Sequence, residues 1–428
     1  LFARTGYVTA HSTLIKEIHQ VQAGEWVRLS MSPDGPQKVA GRYYRFIHAD
    51  ESADGPEQLE AAVVAAHRRV IAQARGRQLV VPLSGGYDSR LIATMLVRLG
   101  YKNIVTFTYG RAGNVEAKIS RDVATALGLP WAFVEYTPAT WRAWRALPEW
   151  QEFQLEGGNW SSLPHVQDWP AVLELKARGF IAPDAVFVPG HAADFVCGGH
   201  LPVEVRERRP VDAGTFSSAI LRDHLKEAGA IREPTRYRAR IEGEVLCRPK
   251  WSVESVADAF EEWDWQERQA KYIGNSVRVY EYFGHDWWMP FWDREFVKVF
   301  EKTPLERRID HRWYGEFVAG AYAKMTNVSA IDAAVTERET TRQRAINWLK
   351  AWLPASLEHG LRVLKEVAAV RSHPMANFGA PYRRFCAMRI RQGATVIGVL
   401  AAEHLDVLGA YAGRAVARPA AASQGHER

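Results

Sequence analysis

The sequence predicts an α/β fold: a parallel sheet with helices on both faces, a short N-terminal β segment and a helical C-terminal extension. Three observations predict it. Short apolar runs alternate with segments of helical periodicity from about residue 56 onward. Glycines stand where those helices would end, at Gly100, Gly128 and Gly179. A glycine turn joins the first apolar run to the next helix, as at the carboxyl ends of parallel strands.

Each element follows from local pattern. Residues 1–50 read as short extended pieces, Glu25–Leu29 and Tyr43–Ile47 among them, with hairpin chemistry at Ser32–Gly35. In Pro56–Ala74, Leu59, Val63, Val64, His67 and Val70 fall near helical spacing. Strands are expected at Gln78–Leu83, Asn103–Tyr109, Trp131–Tyr136 and Ala185–Pro189. Helices are expected at Arg90–Leu99, Val115–Leu127 and Trp169–Ala177. Residues 210–375 read as mainly helical, with Pro304, Pro354 and Pro374 as breaks. The expected units are therefore 1–50, 51–375, further helices at 376–412 and an unstructured tail at 413–428.

Composition narrows the function classes. At 428 residues the chain can bury a sizeable core. Its formal charge of +6 comes without a long basic tract, so nucleic acid is not an expected partner. No run approaches the ~20 apolar residues of a membrane span. Cys197, Cys247 and Cys386 form neither a CxxC pair nor a zinc pattern and suit a reducing cytoplasm. The chain begins with Leu1 rather than Met, and further sequence upstream is expected.

The segment Val80-Val81-Pro82-Leu83-Ser84-Gly85-Gly86-Tyr87-Asp88-Ser89-Arg90 joins a buried strand to a helix. Gly85 and Gly86 allow a tight turn whose N–H groups can approach a ligand. Ser84 and Ser89 add hydroxyls, and the helix aims its positive end at the same space. Asp88 would repel a phosphate, so its sensible role is to hold Mg²⁺ against one; the alternative is a helix cap. The pattern is neither GxxxxGK[ST] nor GxGxxG.

Several segments resemble, in order, those of the asparagine synthetase family of N-type ATP pyrophosphatases, which includes β-lactam synthetase. Ser84–Ser89 resembles its SGGxDS loop. Pro189-Gly190-His191-Ala192-Ala193-Asp194 with Cys197-Gly198-Gly199-His200 resembles its SGEGADExFGGY. Met289–Asp293 resembles its RVPFLD, and Gly6-Tyr7-Val8 through Gly24 its tract leading out of the glutaminase domain.

The resemblance implies a five-stranded parallel sheet and ATP cleaved to AMP and pyrophosphate through a carboxyl-adenylate that an amine attacks. It implies that Ser84, Gly85, Gly86 and Ser89 cradle phosphates, that Asp88 and Asp194 hold Mg²⁺, and that Leu83, Tyr109 and Gly190 line the adenosine pocket. Asp194 also follows an expected strand, at the sheet edge that carries Asp88.

Three features depart from the family. No N-terminal cysteine stands near Leu1. The segment expected to carry the catalytic lysine, Glu337–Arg344, holds Arg338, Arg342 and Arg344 instead; Lys324 is the nearest lysine upstream. Position 191 is histidine where an acidic residue is expected. With an ordinary pKa near ~6.5, His191 could deprotonate the attacking amine, or simply bond a loop carbonyl.

Asn114 and Glu116 read first as caps of the following helix. His165 and Asp168 read as substrate contacts or as a solvated loop. One of Trp287 and Trp288 reads as core and the other as an aromatic wall.

The expected activity is an ATP- and Mg²⁺-dependent amide-forming ligase taking a small-molecule carboxylate and ammonia or an amine, the latter possibly from an upstream glutaminase domain or a partner. Aspartate is the family default. A sugar uronic acid or another carboxylate, a tRNA-modifying pyrophosphatase, and a degenerate nucleotide-binding scaffold remain as alternatives.

Overall fold

A computed structural model describes residues 2–48, 55–224, 234–246, 248, 250–329, 379, 382–392 and 396–417. Glu337–Arg344 lies outside these residues, so the expectation about its arginines has no structural counterpart. Lys324 is exposed, and its charge acts on Glu60.

Five parallel strands form the central sheet: β3 (Leu79–Pro82), β4 (Ile104–Gly110), β5 (Trp131–Glu135), β6 (Val186–Phe187) and β7 (Asp286–Trp287). Their spatial order is β5-β4-β3-β6-β7. The fifth strand has only two residues, too few for a periodic signal. Its Trp287 donates its indole N–H to Glu281, while Trp288 packs against the core.

The period of two sends alternate strand residues to opposite faces. Leu79 and Val81 join a core built from α2 (Pro56–Ala74), α3 (Tyr87–Arg98) and the helices Arg294–Glu301 and Arg312–Thr326. Val80, Phe107 and Phe187 face the other way, into a core rich in Trp141, Trp150, Trp169 and Tyr280. Many of the sixteen tryptophans are thus packing residues. α4 (Val115–Ala126) follows β4, and Asn114 caps it by accepting from the Ala117 N–H at 2.7 Å.

Upstream, α1 (Phe2–Thr5) precedes a hairpin of β1 (Glu25–Ser32) and β2 (Gly35–Arg42), with Ser32 opposite Gly35. Tyr43–Ile47 forms no strand; Phe46 is instead fully buried against Phe195. Downstream lie the helices Tyr382–Gln392 and Val396–Ala417. The last helix runs through Ala417, past the start expected for an unstructured tail at 413, because Val396–Ala417 is largely apolar and packs on α1 and α6 (Pro148–Glu156). Among the described residues no helix is long and apolar enough to cross a membrane.

Candidate active site at the switch point of the sheet

From β3 the chain steps outward to β4 and β5, whereas β6 and β7 are laid down on the opposite side of β3. The loops leaving β3 and β6 therefore diverge and open a crevice at the carboxyl end of the sheet, where ligands bind in this architecture. The two loops carry Ser84–Asp88 and Gly190–Asp194.

Helix α3 starts at Tyr87, earlier than expected, with Gly86 at its N-cap and no side chain closing that end. A helix N-terminus of this kind carries the positive end of the helix dipole, which favours an anion. Neither Gly85 nor Gly86 has left-handed backbone, and a Cβ on either would meet nothing closer than 3.4 Å. The expected conformational reason for these glycines is thus absent: Gly85 is buried beside Ile119 and Glu116, and Gly86 leaves bare backbone at the N-cap of α3. Ser89 accepts from the Ser84 N–H at 3.0 Å, the two hydroxyls meet at 3.1 Å, and Ser84 accepts from the Gly86 N–H at 3.2 Å. Buried Arg90 donates to the Gly85 carbonyl at 3.3 Å from beneath.

The second loop presses on the first. A Cβ on Gly190 would lie 2.9 Å from the Ser89 nitrogen and 3.0 Å from Asp88 Cβ, so only glycine fits. The Asp194 N–H donates to the Asp88 carboxylate. A Cβ on Gly199 would collide with Asp194 Oδ1 at 1.9 Å. Ala192 is held at φ 81, strained for a residue with a side chain.

Neither aspartate is a cap. The N-cap positions belong to Gly86 and, for α8 (Ala193–Val196), to Ala192. Burial and the nearby Asp194 push the Asp88 carboxyl up to about 7. Asp194 is also penalised by burial, but His200 (3.1 Å) and His311 (3.3 Å) hold it well below the usual carboxylate range. Burial opposes the His200 cation, yet Asp264 (2.6 Å) and Asp194 raise its pKa to about 9. Among the described residues no three His, Cys, Asp or Glu side chains gather as a metal cage. Two converging carboxylates fit Mg²⁺ that takes its remaining ligands from phosphate oxygens and water.

The other expected site residues divide. Leu83 turns its side chain into the core with Ala93 and Val123, so it can line a pocket only through its backbone. Tyr109 stacks on Tyr136 at 4.9 Å and donates its hydroxyl to buried Asp168, which also accepts from Tyr280. Asp168 is thereby a packing anchor, although its neighbour His165 does approach the site. His191 follows Gly190 directly, with its ring 5.8 Å from that of His165. Burial and His165 lower its pKa to about 4, below the near-neutral value expected of it.

His200, His311 and Tyr314 escaped linear reading. His200 lies within a quoted segment but carries no motif of its own. His311 is 117 positions from Asp194 and joins it only through folding. Tyr314, 1% exposed, places its phenol beside Asp88. The single local sign is backbone strain, since Asp310 and His311 both have positive φ.

No curated protein matches the chain. A solved NAD+ synthetase from Burkholderia pseudomallei is similar at 19% identity, covering 55% of this chain and 94% of that one, with a TM-score of 0.22. The family model for asparagine synthase matches residues 63–317, which is more than half of the chain and includes both acidic loops. The chain belongs to the asparagine synthase family.

Proposed function

We propose that this chain adenylates a carboxylate with ATP and passes the activated acyl group to ammonia or an amine, releasing pyrophosphate and AMP. Family membership supports an ATP-dependent amide-forming carbon–nitrogen ligase in general. The observation that carries the finer reading is the pairing at the switch point. An uncapped helix end faces two carboxylates that repel one another until a cation joins them.

Ser84, Ser89 and the backbone of Gly85 and Gly86 donate to the phosphates. Asp88 and Asp194 would hold Mg²⁺, which when bound neutralises charge on the departing pyrophosphate. His200 and His311 keep Asp194 ionised and oriented. Gly190 lets the second loop close on the first, beside the adenosine. His191, neutral at working pH, accepts a proton from the attacking amine. Its lowered pKa makes it a weaker base than free imidazole, and neighbouring phosphate charge raises it again. Aspartate is the default acceptor of such enzymes, and the sparse cysteines suit a cytoplasmic setting.

The test is the product. With ATP, Mg²⁺ and an accepted carboxylate, pyrophosphate and AMP should appear together in a coupled assay. ADP and orthophosphate as the direct products would reject the reading.

A further inference from the structure

A second cleft, of about 350 Å³, meets the carboxylate site at His200. It is bounded by the 199–206 segment, the end of the helix Thr215–His224, and Arg268. His200 is a shared wall: its Nε2 lies 3.1 Å from Asp194, and the same residue lines the cleft. Gly199 also lines it, and a Cβ there would collide with Asp194 Oδ1. The phosphate loop Ser84–Asp88 forms no part of the lining.

Most charge around the cleft is compensated locally. Arg222 pairs with Glu204 and, at 2.7 Å, with Asp223; Arg206 pairs with Asp310 at 3.4 Å. Burial lowers the pKa of His224 to about 4, which leaves it neutral. Arg268 is different. Among the described residues no carboxylate pairs with it, and the polar group it meets is His200, with Nη1 3.5 Å from Nδ1. That ring nitrogen already donates to Asp264 at 2.6 Å, and a protonated imidazole has no lone pair to offer a guanidinium. Arg268 therefore faces a second cation, and its charge opposes the protonation of His200. Its donors point to no acceptor that the protein supplies. Arg268 also stands in a π-helical stretch, Trp265–Ile273, a geometry that is frequent at functional sites.

We propose that this cleft is an oxyanion-binding subsite anchored by Arg268, taking a carboxylate or phosphate group. A guanidinium presents paired, planar donors that match either group. An anion there would take up donors that no protein group uses and would offset the repulsion between Arg268 and His200. The opposing carboxylates are already neutralised, Asp223 by Arg222 and Asp264 by His200. The assignment goes beyond the ligase reading and does not depend on it.

Isothermal titration calorimetry on the full chain tests it, with malonate and inorganic phosphate as separate probes. Titrations are run in chloride buffer of matched ionic strength, with and without saturating Mg·ATP, on the parent, Arg268→Gln and Arg268→Lys. A cooperative thermal melt of each variant confirms that it is folded. The expected result is binding of at least one probe by the parent, weakened by about tenfold or more in Arg268→Gln and by less in Arg268→Lys, which keeps the charge. Binding should persist when Mg·ATP fills the phosphate crevice. A preference for malonate would support the subsite as one for a carboxylate-bearing ligand, and a preference for phosphate as one for a phosphoryl group. No binding of either probe by the parent, equal affinity in Arg268→Gln, or loss of all binding on addition of Mg·ATP would each overturn the assignment. Failure of Mg·ATP itself to bind would fault the proposed use of ATP, and the comparison of the parent with Arg268→Gln would still decide the cleft.

Discussion

Asp88 and Asp194 occupy equivalent places, each just beyond a strand of one sheet, yet the fold treats them oppositely. Asp194 is flanked by two histidines, and one of these is backed by fully buried Asp264. Its negative charge is compensated by the protein alone. Asp88 stands in the first turn of α3, where the helix dipole helps, but burial and Asp194 still drive its carboxyl to about 7. One carboxylate is fixed and charged in advance, and the other is left for a cation to satisfy. Under the proposed metal–phosphate reading, a cation would meet no strong counter-ion at Asp88, whereas at Asp194 it would share the carboxylate with His200 and His311.

The largest effect comes from breaking either half. Asp88→Asn and Asp194→Asn should each lower pyrophosphate release by about 10³-fold, near the upper range for removing one electrostatic stabiliser. Their effects on ligand-free stability should have opposite signs. Asp88→Asn removes repulsion and should raise the unfolding free energy at pH 8, whereas Asp194→Asn strands His200 and His311 and should lower it. Denaturant titration of both variants decides this. Equal shifts of one sign would show that the two carboxylates are not differently compensated.

His191→Gln sharpens the comparison at the acceptor side of the second loop. Amide formation should fall by about 10²-fold while adenylate formation, followed by pyrophosphate exchange, persists. If both steps fall together, His191 serves binding; if neither changes, it is a bystander.

The turn from β3 into α3 was legible because its glycines and serines sit within seven consecutive residues, Ser84 to Arg90, between an apolar run and a periodic helix. The parallel sheet was legible because β3, β4 and β5 alternate with periodic helices. The two-residue strand β7 and the backing of Asp194 were not. His200, Asp264 and His311 are joined by folding across more than a hundred positions, and no spacing rule connects them. Tyr109 shows the converse: the resemblance implies a place in the adenosine pocket, while stacking on Tyr136 and the bond to Asp168 occupy its side chain in packing. Leu83 is turned into the core in the same way.

The smallest effect separates the two carboxylates by pH. Asp88 has a folded pKa raised above its unfolded value, so without Mg²⁺ the folded state binds more protons than the unfolded one between about pH 4 and 7. Its contribution to stability therefore declines as pH rises through that window. His200 also has a raised folded pKa, about 9 against an ordinary 6.5. Its stabilising contribution is fully present below pH 6.5 and is lost as pH rises toward 9. The two windows barely overlap, which lets single variants address them. Asp88→Asn should flatten the stability–pH curve of the ligand-free protein below pH 7 and leave the upper limb alone. His200→Gln should flatten the upper limb, by about 1–3 kcal/mol between pH 6.5 and 9, and leave the lower one alone. Taking each variant's difference from the parent cancels the other titrating groups. Saturating Mg·ATP should abolish the lower slope, since the cation favours ionised Asp88, while the upper slope survives. If Mg·ATP instead removed the upper slope and kept the lower, His200 rather than Asp88 would be the group that answers to the ligand.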